Sequence, residues 1–230
     1  MQKQSLILGL RGHIRDSFIN NKLKDFVLFL SHKYNLSVYI NTWDIIQNNL
    51  SWRQIEQNDT KVTHDALLEY FNFDKTIKNI HICNDESIVI NGRTDGTIGT
   101  GRTPIRGWKN MWYGKQKLAN TIFENEDSNI PVLNMRFDLF SLKPQSYLFF
   151  YYDIDKLNLF IEQNYDRCST RNVFLMNIET EGIDNIYLGT PNTILKLANY
   201  FHQNLDAVLE KYPTVYSGEF LVYRENLIIE

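Results

Sequence analysis

A glycine-rich basic segment is the first part of this chain whose residue types could do chemistry. Five of the eleven glycines lie within residues 92–109, and the segment continues to Lys117 with six Lys or Arg residues and one carboxylate. Glycine lets the backbone approach a ligand closely, successive N–H groups can form an anion-binding nest, and arginines add charged donors. The segment therefore predicts phosphate recognition by Arg102 and Arg106, with Trp108 stacking on a sugar or base. The alternatives are a surface loop whose arginines are solvated and, for Trp108, packing in the core.

Charged side chains also follow the first two predicted strands. Arg11 and Arg15 come after the first strand, and Asp44 comes after the second. Ligands of open α/β sheets bind beyond the carboxyl ends of the strands. The two arginines could hold a diphosphate by bidentate contacts, and Asp44 could contact a ribose or a base. The alternatives are solvated surface charge for the arginines and an Asx turn or helix N-cap for Asp44.

Two short acidic patterns could ligate a metal ion. Arg136 and Asp138 follow a predicted strand and lie on the same side if that strand continues. Asp138 could then ligate a divalent metal or a sugar hydroxyl, or it could form a structural ion pair with Arg136. Asp153 and Asp155 form an Asp-x-Asp pattern after an apolar strand predicted at 147–152. Carboxylate oxygens suit Mg²⁺ or Mn²⁺, whereas the alternative is that one Asp caps the following helix.

The elements that must position these side chains alternate between strand and helix. Compact apolar runs predict strands, and apolar residues at a spacing of three and four predict helices. This order predicts an α/β fold with a central, mostly parallel sheet flanked by helices. The predicted strands cover residues 5–10, 36–40, 79–83, 87–90, 131–135, 147–152, 173–178 and 186–188. The predicted helices cover residues 23–34, 63–71, 110–125, 155–164 and 193–212.

Composition narrows the classes of protein that this chain could be. With 230 residues, 43% hydrophobic and 22% charged, it is typical of a globular protein, and we expect one domain over residues 1–230. A formal net charge of −3 argues against broad nucleic-acid binding. Cys83 and Cys168 are far apart and fit no metal-ligand spacing. The chain shows neither a secretory signal nor an apolar run of transmembrane length, so we expect a cytoplasmic protein.

Six short motifs occur in order along most of the chain. They are Gly9–Arg15, Tyr39–Asp44, Gly107–Gly114, Asn134–Asp138, Asp184–Gly189 and Ser217–Glu219. This order resembles bacterial and viral surface-polysaccharide glycosyltransferases of a GT-A-like kind, which use nucleotide-diphospho-sugars. The resemblance implies a single Rossmann-like domain of the GT-A type that acts in polysaccharide biosynthesis.

The resemblance also implies roles for residues on the nucleotide side. The loops at Arg11 and Asp44 would face the nucleotide, and Arg136 and Asp138 would lie near the diphosphate or the donor sugar. They stand where the GT-A enzymes carry an Asp-x-Asp motif. Because an arginine replaces the first Asp of that motif, Arg136 could itself neutralise the leaving diphosphate. This replacement leaves open whether the protein uses Mg²⁺ or Mn²⁺.

On the acceptor side, the resemblance implies positions for Asp184 and Glu219. Glycosyl transfer needs a base for the attacking hydroxyl of the glycan acceptor and positive charge on the diphosphate, so these two carboxylates are the candidate bases. Two alternatives remain at this stage. One is a non-catalytic module that binds a nucleotide or a glycan. The other is a Mg²⁺-dependent phosphotransferase or nuclease that uses Asp153 and Asp155.

Overall fold

A computed structural model describes residues 3–51, 55–72, 74–84, 86–140, 153–176 and 183–229. A six-stranded sheet in the order β5-β2-β1-β6-β8-β7 runs through it, and β3 and β4 form a separate antiparallel pair. Strands β5, β2, β1 and β6 are parallel, whereas β8 runs antiparallel to both β6 and β7. The strands are β1 (Ser5–Arg11), β2 (Asn35–Trp43), β3 (Ile45–Gln47), β4 (Asn58–Lys61), β5 (Ile77–Cys83), β6 (Val132–Arg136), β7 (Val173–Phe174) and β8 (Ile186–Gly189).

Helices cover both faces of the sheet and create two apolar cores. They are α1 (Lys22–Lys33), α2 (His64–Tyr70), α3 (Ile105–Asn125), α4 (Ile154–Asn164), α5 (Pro191–Lys211) and α6 (Gly218–Ile229). Strand β1 shows how one sequence serves both cores, because successive side chains of a strand point to opposite faces. Leu6, Leu8 and Leu10 pack with α1 and α4, while Ile7 packs with α3 and α5. The predicted α/β fold with a mostly parallel, Rossmann-like sheet is therefore confirmed.

The predicted element order differs from the structure in several places, and β3 and β4 have no counterpart in that order. The strand predicted at 87–90 does not form, and Val89 there is 81% exposed with no neighbouring strand. Helix α3 begins at Ile105 instead of Asn110, and Pro104 stands at its N-cap. Helix α6 is absent from the predicted elements, whose last helix covers residues 193–212. The strand predicted at 147–152 lies outside the described residues.

The glycine-rich segment folds into a tight turn ahead of α3. The Ile98 backbone N–H donates to the Thr103 carbonyl at 2.9 Å, and the Thr100 N–H donates to the Val215 carbonyl at 2.9 Å. Gly99 has a φ of +47°, and a Cβ there would overlap the Val215 carbonyl. Glycine at this position thus allows the turn to pack on the chain that leads into α6. Among the described residues, no helix is long and apolar enough to cross a membrane.

Candidate functional site

A cleft of about 150 Å³ lies beyond the carboxyl ends of β1, β2 and β6. Its other walls come from α3, the loop before β8 and the first turn of α6. This is the edge of an α/β sheet at which ligands bind. The structure brings seven of the predicted site residues to this cleft: Arg11, Arg15, Trp108, Arg136, Asp138, Asp184 and Glu219.

Asp138 holds two of the arginines in the cleft wall. Its carboxylate accepts from Arg15 Nη1 at 2.6 Å and from Arg136 Nε and Nη2 at 2.8 and 2.6 Å. Asp138 is 2% exposed, whereas the side chains of Arg15 and Arg136 are 17% and 21% exposed. Because both carboxylate oxygens bind guanidinium groups, Asp138 orients two cations toward the cleft. Arg136 and Asp138 thus form the structural ion pair that the sequence analysis gave as one alternative.

Arg11 occupies a deeper position than the other two arginines. Its Nε donates to Asn134 Oδ1 at 2.5 Å, and its Nη2 donates to the backbone carbonyl of Asp184. The residue is only 2% exposed, so it is not a solvated surface charge. Burial lowers the pKa of Arg11, while the nearby Tyr187 and Asp184 act in the opposite direction. Arg11 therefore joins the ends of β1 and β6 to the loop that carries Asp184.

A buried ion pair lies in the same cleft. Lys115 Nζ lies 2.8 Å from Asp184 Oδ2 and 3.8 Å from the centre of the Trp112 ring. Burial lowers the pKa of Lys115 to about 7, against the attraction of Asp184. Burial alone would raise the pKa of Asp184, but the charges of Lys115 and Arg11 outweigh it and hold this pKa below its usual value. Asp184 is thus held as a carboxylate by its neighbours.

Sequence reasoning missed Lys115 as a site residue, although the sequence carries a signal for it. The buried stripe of α3 recurs at a spacing of three and four residues, and Lys115 stands in that stripe between Trp112 and Ala119. A lysine in line with an apolar stripe indicates a buried ammonium group, which needs a partner. Asn185 was also missed; its side chain accepts from Arg136 Nη1 at 3.0 Å.

Glu219 stands in the first turn of α6, on the wall of the cleft. Burial, and then the negative charge of Asp184, raise the pKa of Glu219 to about 7. The position of α6 is fixed by Glu225, whose carboxylate accepts from Lys211 Nζ and Tyr212 Oη at 2.7 Å each and from Tyr200 Oη. These bonds join α6 to α5 and its C-terminal end. A carboxyl group with a pKa near neutrality is suited to accept a proton at physiological pH.

Five predicted residues do not line the cleft. Asp44 pairs with Lys61 Nζ at 2.8 Å, and Arg102 and Arg106 are exposed. Asp153 is the N-cap of α4, where its Oδ1 accepts from the Asp155 backbone N–H at 2.9 Å. The capping alternative thus holds for Asp153. Within the described parts of the chain, no three His, Cys, Asp or Glu side chains are grouped so as to hold a metal ion.

Comparison of the chain with models of protein families, with curated proteins and with solved structures found no match. The fold and the cleft define an α/β protein with a cationic site at the carboxyl edge of its sheet. What this site does must be inferred from its own chemistry, which combines oriented guanidinium groups with one carboxyl group of raised pKa.

Proposed function

We propose that the protein is a GT-A-like glycosyltransferase that moves a sugar from a nucleotide-diphospho-sugar to a hydroxyl group of a glycan acceptor. One observation carries this proposal: two guanidinium groups oriented by Asp138 share a cleft with the Glu219 carboxyl group. A leaving diphosphate needs fixed positive charge, and an attacking hydroxyl needs a base. The cleft offers both at the edge of the sheet where nucleotides bind.

The chemistry follows from these groups. The acceptor oxygen forms a bond to the anomeric carbon as the bond from that carbon to the diphosphate oxygen breaks. The bonding electrons leave with the nucleoside diphosphate, whose added charge Arg15 and Arg136 stabilise. The hydroxyl proton passes to the Glu219 carboxylate. Of the two candidate bases, Glu219 is favoured because Asp184 is engaged by Lys115 and its pKa is held low.

A GT-A fold implies Mg²⁺ or Mn²⁺ beside the diphosphate, and the side chains of this cleft do not fit such an ion. Both oxygens of Asp138 bind guanidinium groups, and Asp184 is paired with a buried ammonium. An arginine also stands where the first ligand of the Asp-x-Asp motif would be. The cations of the protein itself are therefore assigned the role of neutralising the diphosphate, and no step passes through a metal ion.

A panel of nucleotide-sugars tests the proposal. We expect at least one of them to bind the purified protein in calorimetry and to release its nucleoside diphosphate when a glycan acceptor is added. Arg136→Met should weaken that binding roughly ten- to hundredfold, because a charge-assisted contact is lost. Arg167→Met is the matched control, since Arg167 is exposed and does not line the cleft. Absence of binding by folded protein, with and without Mn²⁺, would refute the proposal.

A further inference from the structure

Asn110 carries an unsatisfied amide group in the wall of the cleft. The residue is 3% exposed, and among the residues that the structure describes neither its Nδ2 nor its Oδ1 has a hydrogen-bond partner. A buried amide without partners costs free energy, and nearly all buried polar groups in proteins are paired. The side chain lies among the residues that line the cleft. Both amide atoms have almost no accessible surface, so a ligand in the cleft would meet this donor and acceptor once the Asn110 side chain turns toward it.

Two glycines show which part of the wall Asn110 faces. Gly107 and Gly114 lie about one helical turn before and after Asn110 on α3, so the three residues share a face. A Cβ on Gly107 would lie 2.6 Å from the Leu50 carbonyl oxygen, and one on Gly114 would lie 3.2 Å from Asn41 Nδ2 and 3.7 Å from the Trp43 ring. Asn110 thus faces the strip of wall between Leu50 and Trp43.

This strip differs in chemistry from the rest of the cleft. Its described side chains include no carboxylate and no guanidinium group: Trp43, Asn48, Leu50, Ser51, Met111 and His13, whose ring centre lies 5.7 Å from that of Trp43. The guanidinium groups lie over β1 and β6, and the carboxylates Asp184 and Glu219 lie beyond them on the side of β8 and α6. A nucleotide-sugar with its diphosphate on the arginines would place its sugar at the carboxylate end. Its base would then lie against the strip of wall between Leu50 and Trp43.

We propose that Asn110 is a specificity-determining residue whose amide group hydrogen-bonds the edge of the nucleobase in a bound nucleoside diphosphate. A base is a flat, uncharged ring that carries a donor next to an acceptor, which is the complement of an amide group. The Trp43 ring on the same strip provides an apolar surface beside it. This inference depends on the proposed function, because it assumes that a nucleoside diphosphate occupies the cleft.

The melting temperature of the ligand-free protein distinguishes a binding role of Asn110 from a structural one. Asn110→Leu removes two unsatisfied polar atoms and keeps a similar volume, so the variant should unfold at the same temperature as the wild type or a higher one. A structural asparagine would show the reverse, a lower melting temperature. Asn125→Leu is the control on the same helix, because Asn125 is exposed and donates to the Thr121 carbonyl.

Calorimetry with inorganic diphosphate and with the diphosphates of uridine, cytidine, guanosine and adenosine completes the test. The wild type should bind one nucleoside diphosphate more tightly than inorganic diphosphate. Asn110→Leu should lose roughly ten- to hundredfold in affinity for that nucleotide and keep its affinity for inorganic diphosphate.

Each other outcome has a defined meaning. Unchanged nucleotide affinity in Asn110→Leu overturns the inference, as does an equal loss for inorganic diphosphate. A loss seen with the nucleotide-sugar but not with the nucleoside diphosphate overturns it in favour of a contact with the sugar. If the wild type binds neither inorganic diphosphate nor any nucleotide, the proposed function itself fails, which is visible before any Asn110 variant is made.

Discussion

Replacing Glu219 by glutamine should reduce turnover and stabilise the protein at the same time. Glutamine keeps the shape of the side chain and resembles the protonated acid, but it cannot accept a proton. Loss of a general base costs roughly 10²- to 10⁴-fold in rate. Nucleotide affinity should stay the same, because the base acts on the acceptor hydroxyl and does not contact the diphosphate.

The effect on stability follows from the pKa of Glu219, which rises from its usual 4.5 to about 7 on folding. The folded protein holds this proton more tightly than the unfolded chain. The favourable contribution is therefore fully present below pH 4.5 and is lost as the pH rises to about 7. Each pKa unit corresponds to about 1.4 kcal/mol, so the loss is at most about 3 kcal/mol. Because Glu219→Gln does not titrate, its gain over the wild type should grow across this range.

Urea unfolding at pH 5 and pH 8, together with the rate of nucleoside diphosphate release, measures both effects. Wild-type activity should increase with pH up to about 7 and then level off, since the carboxylate form is the base. Glu210→Gln is the matched control, because Glu210 is exposed on α5. A variant that is less stable than the wild type at pH 8, or one that keeps full turnover, would refute the assignment of Glu219.

Three further substitutions test the structure around the cleft. Lys115→Met leaves Asp184 buried without its partner and should lower the free energy of unfolding by about 3–5 kcal/mol in urea titrations. Adding Asp184→Asn should restore most of the lost stability, and a double variant without recovery would contradict the ion pair. Asp153→Ala removes a helix cap and should cost about 1 kcal/mol while turnover stays unchanged; lost turnover would instead support a metal site there. Gly99→Ala combines a left-handed φ with overlap at the Val215 carbonyl, so we expect a loss of about 2 kcal/mol by thermal unfolding, and a neutral effect would show that the turn can move.

Much of the sheet could be predicted because its strands are apolar runs separated by helices of clear periodicity. Strands β3 and β4 could not be predicted. Strand β4 (Asn58–Lys61) is entirely polar and exposed and shows no alternation of apolar and polar residues, and β3 pairs with β4. Helix α6 was missed because a strand-like mixture of apolar residues follows Gly218, and its burial depends on contacts with α5. The local sequence pattern does not predict strand pairs and helix contacts that form only in the tertiary structure.

In the candidate site too, some residues could be placed from the sequence and others could not. Rules for strand ends predicted that Arg11, Arg15 and Arg136 would lie near each other, because the carboxyl ends of parallel strands share one edge. The glycine-rich segment predicts phosphate recognition by Arg102 and Arg106, and the structure leaves both side chains outside the cleft. Gly99 and Gly101 pack closely against the backbone of Val215 and Tyr216, which precede α6, and the two arginines are exposed. A glycine cluster indicates close approach of a backbone, and here the approaching group is the protein itself.

The packing of that turn links the two halves of the proposed chemistry. The sheet edge supplies the oriented arginines, whereas Glu219 belongs to a helix held by the turn at Gly99 on one side and by the Glu225 carboxylate on the other. In the proposed reaction, these two anchors would set the distance between the Glu219 carboxylate and a bound diphosphate. A small displacement of reacting groups can cost orders of magnitude in rate. Residues that hold α6 should therefore influence turnover far more than they influence nucleotide binding, because the groups proposed to bind the nucleotide lie at the sheet edge and on α3.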